Sequence, residues 1–194
     1  MPEKFGFACF LERLGISGPQ PVIDATAALF GDHLGPAIEL TLLDYRTGMQ
    51  VNRPWSLGDQ LVWTWPGPTE ILFVYFSDLD TGRPRISFTG AATTAELTVS
   101  MEDMALASRP NDVDDLCMGL HAVCSKFAAE CLVAAGGEIG FSEGLTTVRQ
   151  AWNEVTAPLS LAHWVACRNE GPLAMAQHFV EVRRSPTAIL IRAA

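Results

Sequence analysis

The sequence predicts an α+β fold: a mainly antiparallel sheet, built from a meander plus a C-terminal hairpin, with helices packed on one face. Three observations support this prediction. The first half of the chain alternates short apolar runs with turn residues, a pattern typical of hairpin-linked strands. After Pro110 the apolar spacing becomes helical, and the C-terminal residues return to the strand pattern. Helices on one face of an antiparallel sheet are the simplest assembly of these pieces.

The length and composition predict one ordered domain, 1–194. A chain of 194 residues can bury one sizeable core, and 48% hydrophobic with 18% charged residues is far from the composition of disordered chains. No internal repeat, low-complexity segment or Pro/Gly/Ser-rich linker divides the sequence. We therefore expect no domain boundary.

The first half is predicted to contain a strand, a helix and then the meander. Residues 4–11 alternate loosely like a strand, and Pro21 begins a helical pattern that stops at Gly35. The connections that follow are short, and a parallel crossover needs a dozen or more residues, so antiparallel pairing is expected. The predicted strands of the meander are 38–43, 60–65, 71–76, 85–89 and 95–100.

The second half is predicted to contain three helices and a final hairpin. The longest helix carries its apolar residues on one stripe, can be capped by Asn111 or Asp112, and stops at Gly136. Pro158 begins the last helix, which ends near Gly171. The predicted ranges are 112–135, 142–155 and 158–171 for the helices, and 177–182 and 187–191 for the hairpin strands.

Cysteine usage and hydropathy indicate a cytoplasmic protein. Five cysteines are an odd number in a chain too large to need disulfides, which fits free thiols in a reducing compartment. The N-terminus shows no apolar stretch of signal-peptide length. The longest conspicuous apolar run, 71–76, is far shorter than the ~20 residues of a membrane-spanning helix. We expect no membrane association.

The charge balance is acidic, and much of the imbalance is local. Lys and Arg number 13 against 22 Asp and Glu, so the net charge of -9 would repel nucleic acid. Between Glu96 and Asp115 there are six acidic residues and one basic residue. Helix capping and the helix dipole account for Asp112, Asp114 and Asp115 without any partner. They do not account for Glu102 and Asp103, which can extend the same acidic surface.

Three cysteines in the predicted long helix are interpreted as core residues. Cys117, Cys124 and Cys131 lie seven residues apart, and seven residues of helix rise ~10.5 Å, too far for a disulfide or for shared metal coordination without other ligands. They fall on the apolar stripe, where cysteine is commonly buried. His121 lies at the border of this stripe.

Two Cys/His pairs at helical spacing leave chemical alternatives open. Cys117 with His121, and His163 with Cys167, could together offer four ligands to zinc, but the short CxxC spacing of zinc sites is absent, so we expect no metal and no cofactor. A cysteine nucleophile activated by an imidazole is the main enzymatic alternative. Its candidate catalytic residues are His121, Cys124, His163 and Cys167.

The remaining motifs point to structure or to partner binding. The sequence contains no GxGxxG, Walker, HExxH or GxSxG motif. Residues 78–82 superficially resemble a calcium loop but lack its later ligands, so a hairpin turn is expected. Trp63 and Trp65 share one face of a predicted strand and suit the core. Trp55 follows a proline in an irregular stretch, where we expect an exposed aromatic anchor.

These observations favour a non-enzymatic protein-binding domain: an acidic inhibitor, of the type of a bacterial immunity protein, that occludes a basic effector. One alternative is a small cytosolic enzyme that uses a Cys/His pair. The other is a domain that binds a small ligand between sheet and helices. The residues predicted to bind the partner are Glu102, Asp103, Asp112, Asp114, Asp115 and Trp55.

Overall fold

The computed structural model describes residues 5–12, 18–61, 64–76, 84–90, 93–101, 106, 108–137, 139–168 and 178–194. Its elements follow in chain order as β1 (Phe5–Glu12), α1 (Gln20–Leu29), α2 (Gly31–Leu34), β2 (Ala37–Asp44), β3 (Met49–Pro54), β4 (Glu70–Phe76), β5 (Arg85–Gly90), β6 (Thr94–Met101), α3 (Pro110–Cys124), β7 (Glu130–Gly137), α4 (Val148–Val155), β8 (Ala162–Arg168), β9 (Phe179–Arg184) and β10 (Ala188–Ala193).

Within the described residues, ten strands form one open sheet in the order β3-β2-β4-β5-β6-β1-β7-β8-β10-β9. Every neighbouring pair is antiparallel. The N-terminal strand β1 lies in the middle, between β6 and β7, so it joins the meander β2 to β6 to the C-terminal strands. The predicted fold class, an α+β fold with a mainly antiparallel sheet and a C-terminal hairpin, is confirmed.

The larger hydrophobic cluster lies between one face of the sheet and helices α1 and α3. Alternate residues of β1 from Phe5 to Leu11 point into it, and the rings of Phe7 and Phe30 meet edge to face with centroids 5.0 Å apart. A smaller cluster forms around the other face of β7, β8 and β10, where Trp152 and Val155 of α4 pack. Helices therefore cover both faces of the central strands, and the prediction that the helices pack on one face is wrong for α4.

Parts of two predicted helices are strands in the structure. The helix predicted over 112–135 ends at Cys124, and Glu130–Gly137 form β7. The helix predicted over 158–171 is replaced at Ala162–Arg168 by β8. Both strands are buried on both faces and so consist of nearly continuous apolar residues, a pattern that also fits a buried helix. The remaining predicted helix begins at Val148 rather than at 142, because Thr147 caps it.

The meander also differs from the prediction at one strand. Residues 60, 61, 64 and 65 are not part of a strand, whereas Met49–Pro54 form the edge strand β3. All six residues of β3 are exposed, so its sequence lacks the apolar alternation that reveals half-buried strands. Trp65 nevertheless packs against the core, edge-on to Phe88. Trp63 and the turn at 78–82 lie outside the described residues.

Candidate functional site

The three acidic residues at the start of α3 each have a partner within the chain. Asp112 forms an ion pair with Arg109 at 3.1 Å, and Asp115 forms one with Arg183. Asp114 accepts a hydrogen bond from Trp164 Nε1 at 3.0 Å. No side chain caps this helix, which begins at Pro110, so the predicted capping by Asn111 or Asp112 is wrong. Two arginines thus offset part of the negative charge expected here.

Of the other predicted partner-binding residues, only Trp55 lies within the described residues, and it is buried. Glu102 and Asp103 lie outside the described residues. Trp55 is only 5% exposed, and its indole nitrogen donates to the backbone oxygen of Asp59 at 3.2 Å. The expectation that Trp55 is an exposed anchor is therefore wrong, because the stretch after β3 folds this side chain into the main core.

The structure groups three thiols with His121, but not in the predicted pairs. Cys9 on β1 interacts with both Cys124 and Cys131, which come from α3 and β7. Ser125 Oγ lies 3.4 Å from His121 Nδ1 and 3.4 Å from Cys131 Sγ. Within the described residues, the buried His121 Nε2 has no hydrogen-bond partner. The cluster belongs to the core between helix and sheet.

The two ends of this thiol cluster have opposite pKa shifts. The hydrogen bond with Cys9 holds the pKa of Cys131 well below its usual value, and His121 and Ser125 act in the same direction against burial. Burial raises the pKa of Cys9 well above its usual value. Cys131 is only 3% exposed, so this polarised thiol has no access to a substrate.

His163 and Cys167 do not form a pair. Both lie on β8, where four residues span ~13 Å rather than the single turn of a helix. His163 is exposed, whereas Cys167 is buried in the smaller hydrophobic cluster. Burial raises the pKa of Cys167 to about 12. The zinc set with Cys117 and His121 is therefore not assembled. Across the described part of the chain, no three His, Cys, Asp or Glu side chains are grouped to hold a metal.

A different site lies on the sheet face opposite α1 and α3: an open groove of about 520 Å³, which we call the acidic groove. Strand register sets its floor, because Phe10, Glu96, Thr89 and Ile71 lie side by side on four adjacent strands. The segment 141–145 forms one wall, and Tyr45 with the 68–70 stretch lines the other side. The edge-to-face contact of Phe10 with Phe141, at 5.6 Å, joins floor to wall.

The charged residues that line the acidic groove all have one sign. Glu70, Glu96 and Glu143 line it, and no Lys, Arg or His is among the described residues that line it. Glu70 Oε2 accepts from the backbone nitrogen of Gly67 at 2.7 Å, and Glu143 is exposed. The groove therefore combines apolar surfaces with three carboxylates.

Glu96 is the most buried of these three carboxylates. Its Oε1 accepts hydrogen bonds from the backbone nitrogen of Phe141 at 3.1 Å and from Thr98 Oγ1 at 3.4 Å. Both donors are neutral. Burial raises the pKa of Glu96 in spite of these bonds, and the nearby charge of Glu154 adds to the shift. A positive charge in the groove would relieve this cost.

Helix α4 holds the wall of the acidic groove in place. Thr147 and Gln150 form a capping box at its first turn, and Glu154 from its last turn accepts from the backbone nitrogen of Ser142 at 2.8 Å. The first helical nitrogen, of Val148, donates to Glu12 Oε2 on β1. The wall is therefore tied both to the helix and to the sheet.

The sequence places Glu96 at the start of an acidic stretch but does not reveal the acidic groove. The available signal was a glutamate at a strand position between the apolar residues Ala95 and Leu97. Nothing in the local sequence relates Glu96 to Glu70 or to Glu143, because strand register and a distant segment bring them together.

No protein-family model and no curated protein matches the sequence. Two solved structures from Pseudomonas aeruginosa are similar in part. One is a T6SS protein, with a TM-score of 0.46, 11% identity, and coverage of 98% of this chain and 69% of that chain. The other is a chain from the complex of the toxic C-terminal tip of CdiA with an immune protein, with a TM-score of 0.34, 15% identity, and coverage of 70% and 87%. TM-scores this low carry no argument about function. No helix of the described residues is long and apolar enough to cross a membrane.

Proposed function

We propose that this chain is a non-enzymatic protein-binding domain, an acidic inhibitor of the immunity type that binds a basic effector and occludes it. The observation that carries this proposal is the acidic groove, in which the described lining residues include three glutamates and no basic side chain. Like the groove, the chain as a whole is negatively charged, with a net charge of -9. A basic partner is the macromolecule that such a surface attracts.

Electrostatic attraction gives this inhibitor fast association. A net negative chain draws a basic protein from beyond contact distance, and added salt screens this attraction over a Debye length of about 8 Å at physiological ionic strength. Recognition then follows at short range, in the groove, where apolar walls flank the carboxylates. Occlusion requires contact and not chemistry.

The arrangement of the thiols supports binding over nucleophilic catalysis. All five cysteines are buried, whereas a nucleophile must reach its substrate. Free thiols also suit a reducing compartment, and we place the inhibitor in the cytoplasm for that reason.

The test is co-expression with the product of the reading frame immediately upstream of the gene, which is where a cognate effector would be encoded. We expect this chain to restore the growth of cells that express the upstream product. The two proteins should co-elute in size-exclusion chromatography, with association that slows as salt is added. Absence of both protection and complex would contradict the proposal.

The acidic cluster of Glu102, Asp103, Asp112, Asp114 and Asp115 is tested in the same system. Reversing Glu102 and Asp103 to Lys should slow association and weaken its salt dependence if this cluster steers the partner. Association rates measured at two ionic strengths decide the point. Unchanged rates would remove the cluster from the binding mechanism and leave the acidic groove as the binding surface.

A further inference from the structure

We propose that the acidic groove receives an arginine side chain of the protein partner, with Glu96 as the carboxylate that anchors its guanidinium group. This inference rests on the proposed function, and it specifies which side chain the groove recognises. Three features of the molecule support it: the shape of the groove, the hydrogen bonds of Glu96 and the contact of a guanidinium with an aromatic ring elsewhere on the same sheet face.

The groove suits a side chain with an apolar stem and a cationic head. Ile71 and Phe141, both half-buried, line it and offer apolar surface to a stem. Glu96 lies between Phe10 and Thr89 in the strand register, so its carboxylate is at the floor. Long cationic side chains bury their methylene groups along apolar surface while the charged head keeps polar partners.

The hydrogen bonds of Glu96 favour a guanidinium group, with its planar set of N–H donors, over an ammonium group. The bonds from Phe141 and Thr98 both go to Oε1, so none of the hydrogen bonds among the described residues occupies Oε2. A guanidinium presents five N–H groups in a plane and can bridge to a second carboxylate, such as Glu70 or Glu143. An ammonium is more strongly hydrated and costs more to desolvate beside apolar walls.

The same face of the sheet already accommodates a guanidinium on an aromatic ring. The guanidinium carbon of Arg85 lies 5.3 Å from the ring centroid of Phe73, and Phe73 stacks with Tyr75 at 5.8 Å. Stacking on aromatic faces is characteristic of arginine, and is weaker for lysine. The half-buried ring of Phe141 gives the groove an aromatic surface of the same kind.

The surroundings of the groove favour an arginine carried by a protein over a free cation. The row next to its floor, formed by Thr98, Ser87 and Phe73, runs across the same face and is half-buried. Tyr45 at the rim is half-exposed. A free cation would leave this continuous surface uncovered, whereas a protein segment that inserts an arginine would cover it.

The experiment titrates the labelled protein with three capped pentapeptides of glycine that carry arginine, lysine or citrulline at the centre, and follows the backbone amides by NMR. We expect saturable shifts at Phe141, Gly144 and Gly90 with the arginine peptide. The lysine peptide should bind about tenfold more weakly, because an ammonium cannot make the planar two-bond contact of a guanidinium, and neutral citrulline should not saturate.

Glu96→Gln keeps the shape and the acceptor oxygen but removes the charge, and should weaken arginine binding about tenfold. Glu70→Gln, nearer the rim, should weaken it less and serves as a second variant should the first be poorly folded. Asp24→Asn removes the same charge from an exposed position on α1, on the other side of the sheet, and should leave binding unchanged.

Several results would overturn the inference: equal binding of the lysine or citrulline peptide, full binding by Glu96→Gln, shifts confined to amides outside the groove, or no binding at all. Free arginine that binds as tightly as the peptide would show a small-cation site instead. Protection and complex formation that persist in Glu96→Gln without peptide binding would reject the arginine assignment alone. Peptide binding without any complex with the upstream product would count against the proposed function.

Discussion

Asp114 in the first turn of α3 accepts a hydrogen bond from the indole nitrogen of Trp164 on β8, at 3.0 Å. Trp164 is only 7% exposed, and a buried indole N–H needs an acceptor. The bond therefore joins the start of the main helix to a strand fifty residues away. It gives Asp114 a role within the fold that requires no partner protein.

Replacing Asp114 with alanine should lower the free energy of unfolding by about 1–3 kcal/mol, because the indole N–H is left without an acceptor. Asp114→Asn keeps an acceptor oxygen and should lose less. Asp115→Ala is the matched control, since it breaks only the exposed ion pair with Arg183, worth below about 1 kcal/mol. Urea unfolding measures all three. Equal losses for Asp114→Ala and Asp115→Ala would show that the Trp164 bond does not stabilise the fold.

The five thiols should be protected from labelling in the native protein. All five are buried, and burial raises the pKa of Cys9, Cys117 and Cys167, which disfavours the reactive thiolate. Labelling with an aromatic disulfide reagent should be slow without denaturant and should reach five equivalents after unfolding. Any early reaction should occur at Cys131, whose pKa is lowered chiefly by Cys9. Rapid native labelling of several thiols would contradict the packing.

The elements that could be predicted are those with one covered face or a clear turn. Strands β5 and β6 alternate apolar and polar residues, β4 is a short apolar run that follows turn residues, and the hairpin of β9 and β10 surrounds Pro186. The stretch after Glu130 could not be assigned in the same way. Its residues are buried on both faces of the sheet, so the alternation of apolar and polar residues is lost. In the sequence, the apolar stripe of α3 therefore continues into this stretch without a break.

The acidic groove could not be predicted, because it depends on contacts that are distant in sequence. The bond from Phe141 to Glu96 spans 45 residues, and the bond from Val148 to Glu12 spans 136. The thiol cluster shows the same limit. Cys131 reaches Cys9 only because β7 pairs with β1, a pairing that a continuous helix would have precluded.

Two glycine substitutions should differ sharply in their effect on stability. At Gly136 an added Cβ would overlap the backbone oxygen of Leu161, which the neighbouring strand holds in place. Gly136→Ala should therefore cost about 2–3 kcal/mol. At Gly119 the added Cβ meets the end of the Leu29 side chain at 2.7 Å, which can move. Alanine also favours the helix by about 1 kcal/mol, so Gly119→Ala should change stability little. Thermal unfolding compares the two, and equal losses would contradict the close approach at Gly136.

The buried carboxylate of Glu96 should make stability depend on pH in a direction opposite to that of most carboxylates. Burial raises its pKa above the usual value of 4.5, so the folded protein binds this proton more tightly than the unfolded chain. Stability from this group is therefore fully present below pH 4.5 and is lost as the pH rises through the folded pKa. Asp44 and Glu181 contribute to the pH dependence with the opposite sign, because hydrogen bonds lower their pKa values. The donor to Asp44 is the backbone nitrogen of Arg46, and the donor to Glu181 is the guanidinium of Arg184. A comparison with Glu96→Gln separates the two contributions.

Glu96→Gln retains an acceptor for the hydrogen bonds from Phe141 and Thr98 but cannot ionise. The stability of this variant therefore does not decrease through ionisation at position 96 as the pH rises. Both proteins keep the neighbouring acidic residues, so the contributions of these residues to the pH dependence cancel to first order in the comparison. They are Glu12, Glu70, Glu143 and Glu154. We expect urea unfolding to be informative between about pH 4 and pH 7, the range in which a glutamate with a raised pKa titrates. As the pH rises across this range, the free energy of unfolding of the variant should increase relative to that of the wild type. Carbon-13 NMR of the Glu96 carboxyl group should give the matching raised pKa. A difference in stability that stays constant across this range would show that Glu96 is not buried as a costly charge, and would remove the physical reason for the groove to attract a cation.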